Sequence, residues 1–151
     1  MAWSPRRAGH VLMILVDTNV LSAMMRVAAE PAVEQWFDAQ PPESVWTTTI
    51  TIFEIRFGLA LLKPGHRRDR LDDAFDRAID EIIGGRVLSF DRSAAEAAAA
   101  IAARQRQIGR PVEIRDVQIA GIAAARKATL ATRNTRHFES LGITLVDPWR
   151  A

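Results

Sequence analysis

Short apolar runs alternate along the chain with longer segments in which apolar residues recur every three or four positions. The short runs predict buried strands, and the longer segments predict amphipathic helices. Strands are predicted at 13–16, 45–49, 87–90, 129–132 and 143–146. Helices are predicted at 19–25, 32–39, 52–62, 67–83, 94–109 and 116–127. This alternation is typical of an α/β fold in which a mostly parallel sheet of four to five strands is covered on both faces.

The pattern runs through residues 13–151 without a linker or repeat, so we expect a single domain, preceded by a flexible extension at 1–12. The start of the chain has the basic patch and apolar run of a weak secretion signal. However, the run is short, ends at Asp17 and lacks a cleavage site. No apolar run approaches the roughly 20 residues of a membrane span, and cysteine is absent. We therefore expect a cytoplasmic protein that does not cross a membrane.

The basic side chains are almost all arginines, and of 20 only Lys63 and Lys127 are lysines. Arginine suits bidentate contacts with phosphate, but a GC-rich genome also enriches arginine. The formal net charge is only +2. Charge alone therefore does not identify a nucleic-acid partner.

Three carboxylates and one amide lie close to the predicted strand ends. Asp17 directly follows the first strand, Glu54 follows the second, and Asn134 follows the fourth. Asp116 opens the helix that leads into that fourth strand. In such sheets, ligands bind at the carboxyl ends of the strands, so we expect these four side chains near one edge.

Each of these residues also has a purely structural interpretation. Asp17 and Asp116 are suitable helix caps, because carboxylates at helix N-termini accept free N–H groups. Thr51 and Glu54 match a capping box, and Asn134 lies in a sequence typical of a turn. For each residue taken singly, the sequence leaves both interpretations open.

Taken together, the acids favour a metal site. Three carboxylates within about 4–6 Å of each other repel, and one must hold a proton unless a cation lies among them. Oxygen ligands suit Mg²⁺ or Mn²⁺. A metal of this kind activates water and binds phosphate, so the chemistry indicated is phosphodiester hydrolysis.

Five segments carry a recognisable set of motifs: ILVDTNVLS at 14–22, TTITIFEIRFGLALL at 48–62, DVQIAGIAA at 116–124, LATRNTRHF at 130–138 and DPW at 147–149. In this order and spacing they resemble the PIN domain, and more narrowly the VapC/FitB-like toxins of bacterial toxin–antitoxin pairs. The resemblance implies a three-layer α/β/α sandwich with Mg²⁺- or Mn²⁺-dependent endoribonuclease activity on tRNA or rRNA. It also implies a homodimer that forms a heterotetramer or larger assembly with a small VapB-like antitoxin. That antitoxin binds DNA through one end and fills the toxin's cleft with the other.

The resemblance assigns the three acidic metal positions to Asp17, Glu54 and Asp116. Asp17 and Asp116 would hold the metal, and Glu54 would complete the site directly or through water and relay a proton. Asn134 occupies a fourth position that is often Asp, and its neutral amide would hold a second metal more weakly. Many relatives have an acid where this chain has His137, which we place on the surface.

Other side chains have supporting roles in this interpretation. Thr18 and Asn134 are expected to orient ligands or water, and Glu113 could supply a spare carboxylate through water. The possible RNA-binding residues are Thr18, Arg115, Arg133 and Arg136. The three arginines would neutralise RNA phosphates, which positions the substrate without reading its sequence. Their alternative is ordinary solvated surface.

The helices at 19–39 and 52–83 are expected to form the partner surface. The stretch with Leu59, Leu61 and Leu62 is more apolar than one core face requires, and a groove there would accept an amphipathic antitoxin helix. Arg56 could reach the rim of the cleft or an acidic residue of a partner. The alternative for the apolar stretch is a helix buried in a small sandwich.

Two other functions remain possible from the sequence. A haloacid-dehalogenase-like phosphatase also has an Asp after its first strand, but it requires a second Asp where Asn19 stands. It also requires a catalytic lysine, and Lys63 and Lys127 lie in the wrong contexts. The other alternative is a non-catalytic PIN-like module that binds RNA or a partner. The three acids argue against it, because binding alone does not need them, whereas Asn134 is compatible with it.

Overall fold

The computed structural model describes residues 12–25 and 30–151. The strands are β1 (Ile14–Val16), β2 (Val45–Thr48), β3 (Val87–Leu88), β4 (Thr129–Ala131) and β5 (Thr144–Val146). The α-helices are α1 (Thr18–Met25), α2 (Pro31–Asp38), α3 (Thr49–Ala60), α4 (His66–Arg77), α5 (Arg92–Gln107) and α6 (Ile114–Arg126). Two 3-10 turns lie at Pro42–Ser44 and Thr135–His137, and a π-helical segment, Ala78–Ile83, continues α4. Each predicted strand and helix is present.

The five strands of the described chain form one sheet in the order β3-β2-β1-β4-β5, and every neighbouring pair is parallel. The sheet is therefore fully parallel, where the sequence predicted a mostly parallel one. The chain fills one side of β1 with β2 and β3, then crosses to the other side for β4 and β5. Where the strand order reverses in this way, between β1 and β4, a crevice opens at the carboxyl ends of the two strands.

Side chains alternate across β1 and so divide the core between the two faces of the sheet. Ile14 and Val16 join a cluster built from α1 to α4 and the π-helical segment. Leu15 joins a second cluster with α5 and α6. The architecture is the predicted three-layer α/β/α sandwich.

Helices α5 and α6 pack so closely that one position between them has no room for a side chain. A Cβ atom on Gly121 would lie 2.5 Å from the Ala94 carbonyl oxygen and 2.6 Å from the Ala98 Cβ. Real Cβ atoms essentially never approach this closely. Glycine at 121 therefore lets the backbone of α6, which carries Asp116 in its first turn, lie directly on α5.

Some boundaries differ from the prediction for local reasons. Helix α3 begins three residues before the predicted start at 52, because the Thr48 hydroxyl accepts a hydrogen bond from the Thr51 N–H at 3.1 Å. The segment predicted as one helix at 67–83 changes from α to π geometry at Ala78 and ends at Gly84, whose φ is +62°.

The predicted extension at 1–12 falls outside the described residues, apart from Leu12. Within 12–25 and 30–151, no helix is both long enough and apolar enough to cross a membrane.

Candidate active site

Asp17 lies at the carboxyl ends of the neighbouring strands β1 and β4. It follows β1, and its backbone N–H donates to the Ala131 carbonyl oxygen of β4 at 3.0 Å. The residue is 7% exposed. Its Oδ1 accepts from the Thr18 N–H at 2.7 Å, and its Oδ2 accepts from the Thr132 hydroxyl at 2.9 Å. Two strand ends thus hold one buried carboxylate in a fixed orientation.

The environment of Asp17 disfavours its charge. Burial raises the pKa of this carboxyl, while the hydrogen bonds from Thr18 and Thr132 and the charge of His137 lower it in part. A capping carboxylate normally accepts from the second or third N–H of its helix, but Asp17 accepts from the adjacent one. Helix capping is therefore a poor explanation for a carboxylate buried at this cost.

Glu54 lies in the second turn of α3, and its Oε2 accepts a hydrogen bond from the Thr18 hydroxyl at 3.2 Å. The capping-box interpretation is wrong, because Thr48 caps the helix and Thr51 lies inside it. Glu54 is free of the helix end, and Thr18 links it to the residue that follows Asp17.

Asp116 is the third residue of α6, which begins two residues before the predicted start. The cap of this helix is Glu113, whose Oε2 accepts from the backbone N–H groups of Arg115 (3.0 Å) and Asp116 (3.3 Å). The capping interpretation of Asp116 is therefore also wrong. The other oxygen of Glu113 accepts from Arg115 Nε at 3.3 Å, so this carboxylate is already committed to the helix end.

The three acids interact electrostatically although they come from distant parts of the chain. Burial raises the pKa of Glu54, as do the charges of Asp17 and Asp116, against opposing effects of Thr18 and Arg115. Burial also raises the pKa of Asp116; His137 opposes this, and the charges of Glu113 and Asp17 add to it. Mutual repulsion among three partly buried carboxylates is the condition that a bound cation relieves.

The described part of the chain contains no group of three or more His, Asp or Glu side chains in a geometry that could hold a metal ion. The three acids thus form an electrostatic cluster and not a ready-made metal cage, and a cation would have to draw them together. Their chemistry fits a hard divalent cation, because the acids and the hydroxyls of Thr18 and Thr132 supply only oxygen atoms and the chain has no cysteine.

His137 lies on the surface as predicted, but the sequence analysis did not predict its contact with the acidic cluster. Its side chain is 58% exposed, yet Nδ1 lies 3.3 Å from Asp116 Oδ2. When protonated, it lowers the pKa of both Asp116 and Asp17. The sequence held one signal for this, because His137 lies three residues after Asn134, in the loop expected to border the site.

Asn134 lies at the start of the 3-10 turn, and its backbone N–H donates to the Thr132 hydroxyl at 3.1 Å. The same hydroxyl donates to Asp17, so the loop after β4 is tied to the buried carboxylate. The turn expected around Asn134 is present, and its side chain is exposed with no hydrogen-bond partner among the residues described.

The three arginines expected to contact RNA have different environments. Arg115 pairs with Glu113 at 3.3 Å. The Arg133 guanidinium lies 4.8 Å above the Trp149 ring. Arg136 is exposed and has no side-chain partner within the described ranges. Arg136 is therefore the one of the three whose guanidinium is not already engaged.

Arg56 does not face the acids. Its guanidinium forms ion pairs with Asp72 (3.2 Å) and Asp76 of α4, and it lies 4.4 Å above the Phe75 ring. It fastens α3 to α4 at the surface.

The apolar stretch of α3 is divided between the core and the surface. Leu59 is buried, Leu62 is half-buried, and Leu61 is 72% exposed. Phe53 and Phe57 are also exposed, and their rings stack with centroids 5.9 Å apart. Residues 53, 57 and 61 lie four apart and form an apolar stripe along the outside of the helix.

Comparisons with family models, with curated sequences and with solved structures all indicate the same family. The PIN domain family matches residues 14–143. The chain is 41% identical over 139 residues to the plasmid stability protein StbB of Pseudomonas syringae pv. tomato, which covers 92% of this chain and 100% of StbB. It is 36% identical over 137 residues to the VapC ribonuclease Y4jK of Sinorhizobium fredii, which covers 91% and 98%.

A third relative is similar in both sequence and structure. Toxin FitB of Neisseria gonorrhoeae is 34% identical over 137 residues, which cover 91% of this chain and 99% of FitB. The crystal structure of FitAcB from the same organism superposes with a TM-score of 0.83 at 33% identity, over 92% of this chain and all of that one. The chain belongs to the PIN domain family, within the group that contains VapC and FitB.

Proposed function

We propose that this protein is the toxin of a bacterial toxin–antitoxin pair and that it acts as a metal-dependent endoribonuclease on RNA of the tRNA or rRNA class. One observation carries the proposal: the buried Asp17 interacts with Glu54 and Asp116 at the carboxyl edge of a parallel sheet. The relatives named as a ribonuclease and a toxin support it. We place its action in the cytoplasm.

The proposed cation is Mg²⁺ or Mn²⁺. Asp17 and Asp116 would hold it, with Glu54 completing the site directly or through water. When bound, such an ion supplies an activated water and stabilises negative charge on a phosphate. The hydroxyls of Thr18 and Thr132 keep the carboxylates oriented.

The chain's own groups account for the remaining chemistry. Glu54 can accept a proton because burial and its acidic neighbours raise its pKa. Asn134 offers an unused amide at the mouth of the site. Arg136 offers an unpaired positive charge for the RNA backbone.

The direct test is cleavage of RNA by the purified protein with Mg²⁺, with Mn²⁺ or with EDTA. We expect internal cuts only when a divalent ion is present. Equal cleavage in EDTA would contradict the metal-dependent mechanism. RNA binding without cleavage in either ion would favour the non-catalytic alternative.

Mg²⁺ or Mn²⁺ is also expected to raise the melting temperature, because the cation relieves repulsion among the acids. At a free ion concentration of about 100 times Kd, linkage gives about 2.7 kcal/mol. For a chain of this size that is about 5–10 °C. The gain should diminish as the pH falls and the carboxylates take up protons. Differential scanning fluorimetry from pH 5 to 8 measures this, and no shift at any of these pH values would count against the metal site.

His137→Ala is expected to move the acid limb of the cleavage profile to higher pH. Protonated His137 lowers the pKa of Asp116 and Asp17, so its loss raises both. A higher pH is then needed to ionise the carboxylates. Initial rates from pH 5 to 8 measure the shift. His66→Ala, on the exposed start of α4, is the control and should leave the profile in place.

The proposed partner is a VapB-like antitoxin, with the toxin itself forming a homodimer and the complex a heterotetramer or larger. A groove of about 270 Å³ lies between α1, α2 and the π-helical segment. Its apolar lining includes Val33, Phe37 and Ile82, and Glu34 and Asp38 lie at it. These features suit an amphipathic helix with basic residues. The exposed stripe at 53, 57 and 61 is a second apolar surface available for assembly.

A further inference from the structure

A second cavity lies beside the acidic cluster. It has a volume of about 380 Å³, and both Asp116 and His137 contribute to its wall. It is formed by the end of α5, the loop between α5 and α6, and the segment that follows the 3-10 turn at Thr135–His137. The rest of its lining is Gln105, Arg110, Pro111, Val112, Glu113, Arg136, Glu139 and Ser140.

Two arginines at this cavity have guanidinium groups that bind no other side chain of the described residues. The guanidinium groups of Arg110 and Arg136 are exposed and have no hydrogen-bond or ion-pair partner among residues 12–25 and 30–151. Arg115 and Arg133 lie nearby in sequence, but one pairs with Glu113 and the other stacks on an indole. Arg110 and Arg136 are therefore the unpaired arginines of the cavity, whose wall also carries the carboxylates of Glu113, Asp116 and Glu139. Of these, Glu113 already accepts hydrogen bonds at the start of α6.

The floor of the cavity is built and fixed. Gln105 is 1% exposed, and its Nε2 donates to the Ser140 carbonyl oxygen at 3.0 Å. The Ser140 hydroxyl donates back to Gln105 Oε1 at 3.4 Å. These two bonds tie α5 to the loop after β4. Pro111 and the partly buried Val112 add apolar surface to the lining.

We propose that this cavity binds one nucleotide of single-stranded RNA, adjacent to the phosphate that is cut. Arg110 and Arg136 contact its phosphate, and Pro111 and Val112 pack against its sugar or base. The volume is in the range of small-molecule sites, and guanidinium groups match phosphate geometry. Because Asp116 borders both cavity and acidic cluster, one RNA strand can occupy both. The inference rests on the proposed function and names part of its substrate site.

The test measures RNA binding in EDTA, where cleavage does not interfere. A fluorescently labelled single-stranded RNA is titrated with the full-length wild type, Arg110→Ala, Arg136→Ala and Arg106→Ala. The control Arg106 is exposed near the end of α5, four residues before Arg110, and does not line the cavity. We expect each cavity variant to bind about 5–10 times more weakly and to lose about 0.7 from the slope of log K against log salt, while Arg106→Ala matches wild type.

A second variant tests the cavity without using charge. Val112→Trp places a large side chain in it, and AMP or CMP serves as the probe. In wild type, we expect the mononucleotide to shift the NMR signal of the Gln105 side-chain amide, and in Val112→Trp we expect no shift. If Val112→Trp does not fold, as judged by circular dichroism, the arginine pair decides.

The outcomes separate this inference from the proposed function. If both cavity variants bind RNA like Arg106→Ala while wild type cleaves RNA, the cavity proposal is overturned and the nuclease stands. If wild type does not cleave RNA but the cavity variants still lose RNA affinity, the cavity stands and the nuclease falls.

Discussion

Asp17→Asn is expected to abolish RNA cleavage and to stabilise the metal-free protein at neutral pH. The carboxylate is buried, lies between two strand ends and is the proposed anchor of the cation. An amide cannot supply the lost charge. If the metal contributes about 4 kcal/mol to transition-state stabilisation, its loss lowers the rate about 1,000-fold.

The stability effect has the opposite sign. Burial raises the pKa of Asp17 in the folded protein. The contribution of this carboxyl to the free energy of unfolding is therefore fully present below its unfolded pKa of about 4, and it is lost as the pH rises through the folded pKa. At neutral pH the wild type therefore carries a destabilising charge that Asn removes. The amide keeps an acceptor for the Thr18 N–H, and the Thr132 hydroxyl can rotate to accept from its NH₂ group. We expect the melting temperature to rise by a few degrees at pH 7.

Thermal melts in EDTA at pH 4 and pH 7, together with initial cleavage rates in Mg²⁺, measure both effects. Asp73→Asn on the exposed side of α4 is the matched control, since Asp73 has no ion pair within the described chain. It should change neither activity nor stability. Wild-type cleavage by Asp17→Asn would remove this carboxylate from the site.

Gly121→Ala is expected to destabilise the protein by about 2 kcal/mol, although alanine is the better helix former. The added methyl would lie 2.5 Å from a backbone oxygen and 2.8 Å from a backbone nitrogen of α5, and neither can rotate away. Overpacking typically costs about 1–3 kcal/mol, and a clash with backbone atoms falls at the upper end of this range. Subtracting the roughly 1 kcal/mol gained from helix propensity leaves about 2 kcal/mol. The melting temperature should fall by about 4–8 °C. Cleavage should also fall, because separating α6 from α5 displaces Asp116.

Gly58→Ala is the matched control, because Gly58 also lies inside a helix but nothing surrounds its added Cβ within 4 Å. There the propensity gain acts alone, and stability should rise by about 0.5–1 kcal/mol. Denaturant unfolding of both variants gives the comparison. If Gly121→Ala were as stable as Gly58→Ala, the close contact between α5 and α6 would not be present in solution.

Asp17 and Asp116 could be proposed because they lie at a strand end and in the first turn of a helix, whereas Glu54 lies in the second turn of α3. Asp17, Glu54 and Asp116 could be named because periodicity located the elements, and parallel strands place their carboxyl ends on one edge. The sequence could not decide whether these residues instead serve as helix caps. Whether Glu54 or Thr48 serves the start of α3 depends on a difference of a few residues in the helix boundary, which hydrophobic periodicity does not resolve.

The sequence by itself determined the strands, the helices and the family, since these depend on the spacing of apolar residues and on short motifs. Only the tertiary structure decided which side chains meet. The hydrogen bond from Thr18 to Glu54 spans 36 positions, and the one from Thr132 to Asp17 spans 115. The contact of His137 with Asp116 and the choice of which arginines remain unpaired also depend on packing. Such contacts depend on how separate elements are brought together in space. The local sequence pattern around a residue does not say which distant residue will lie beside it.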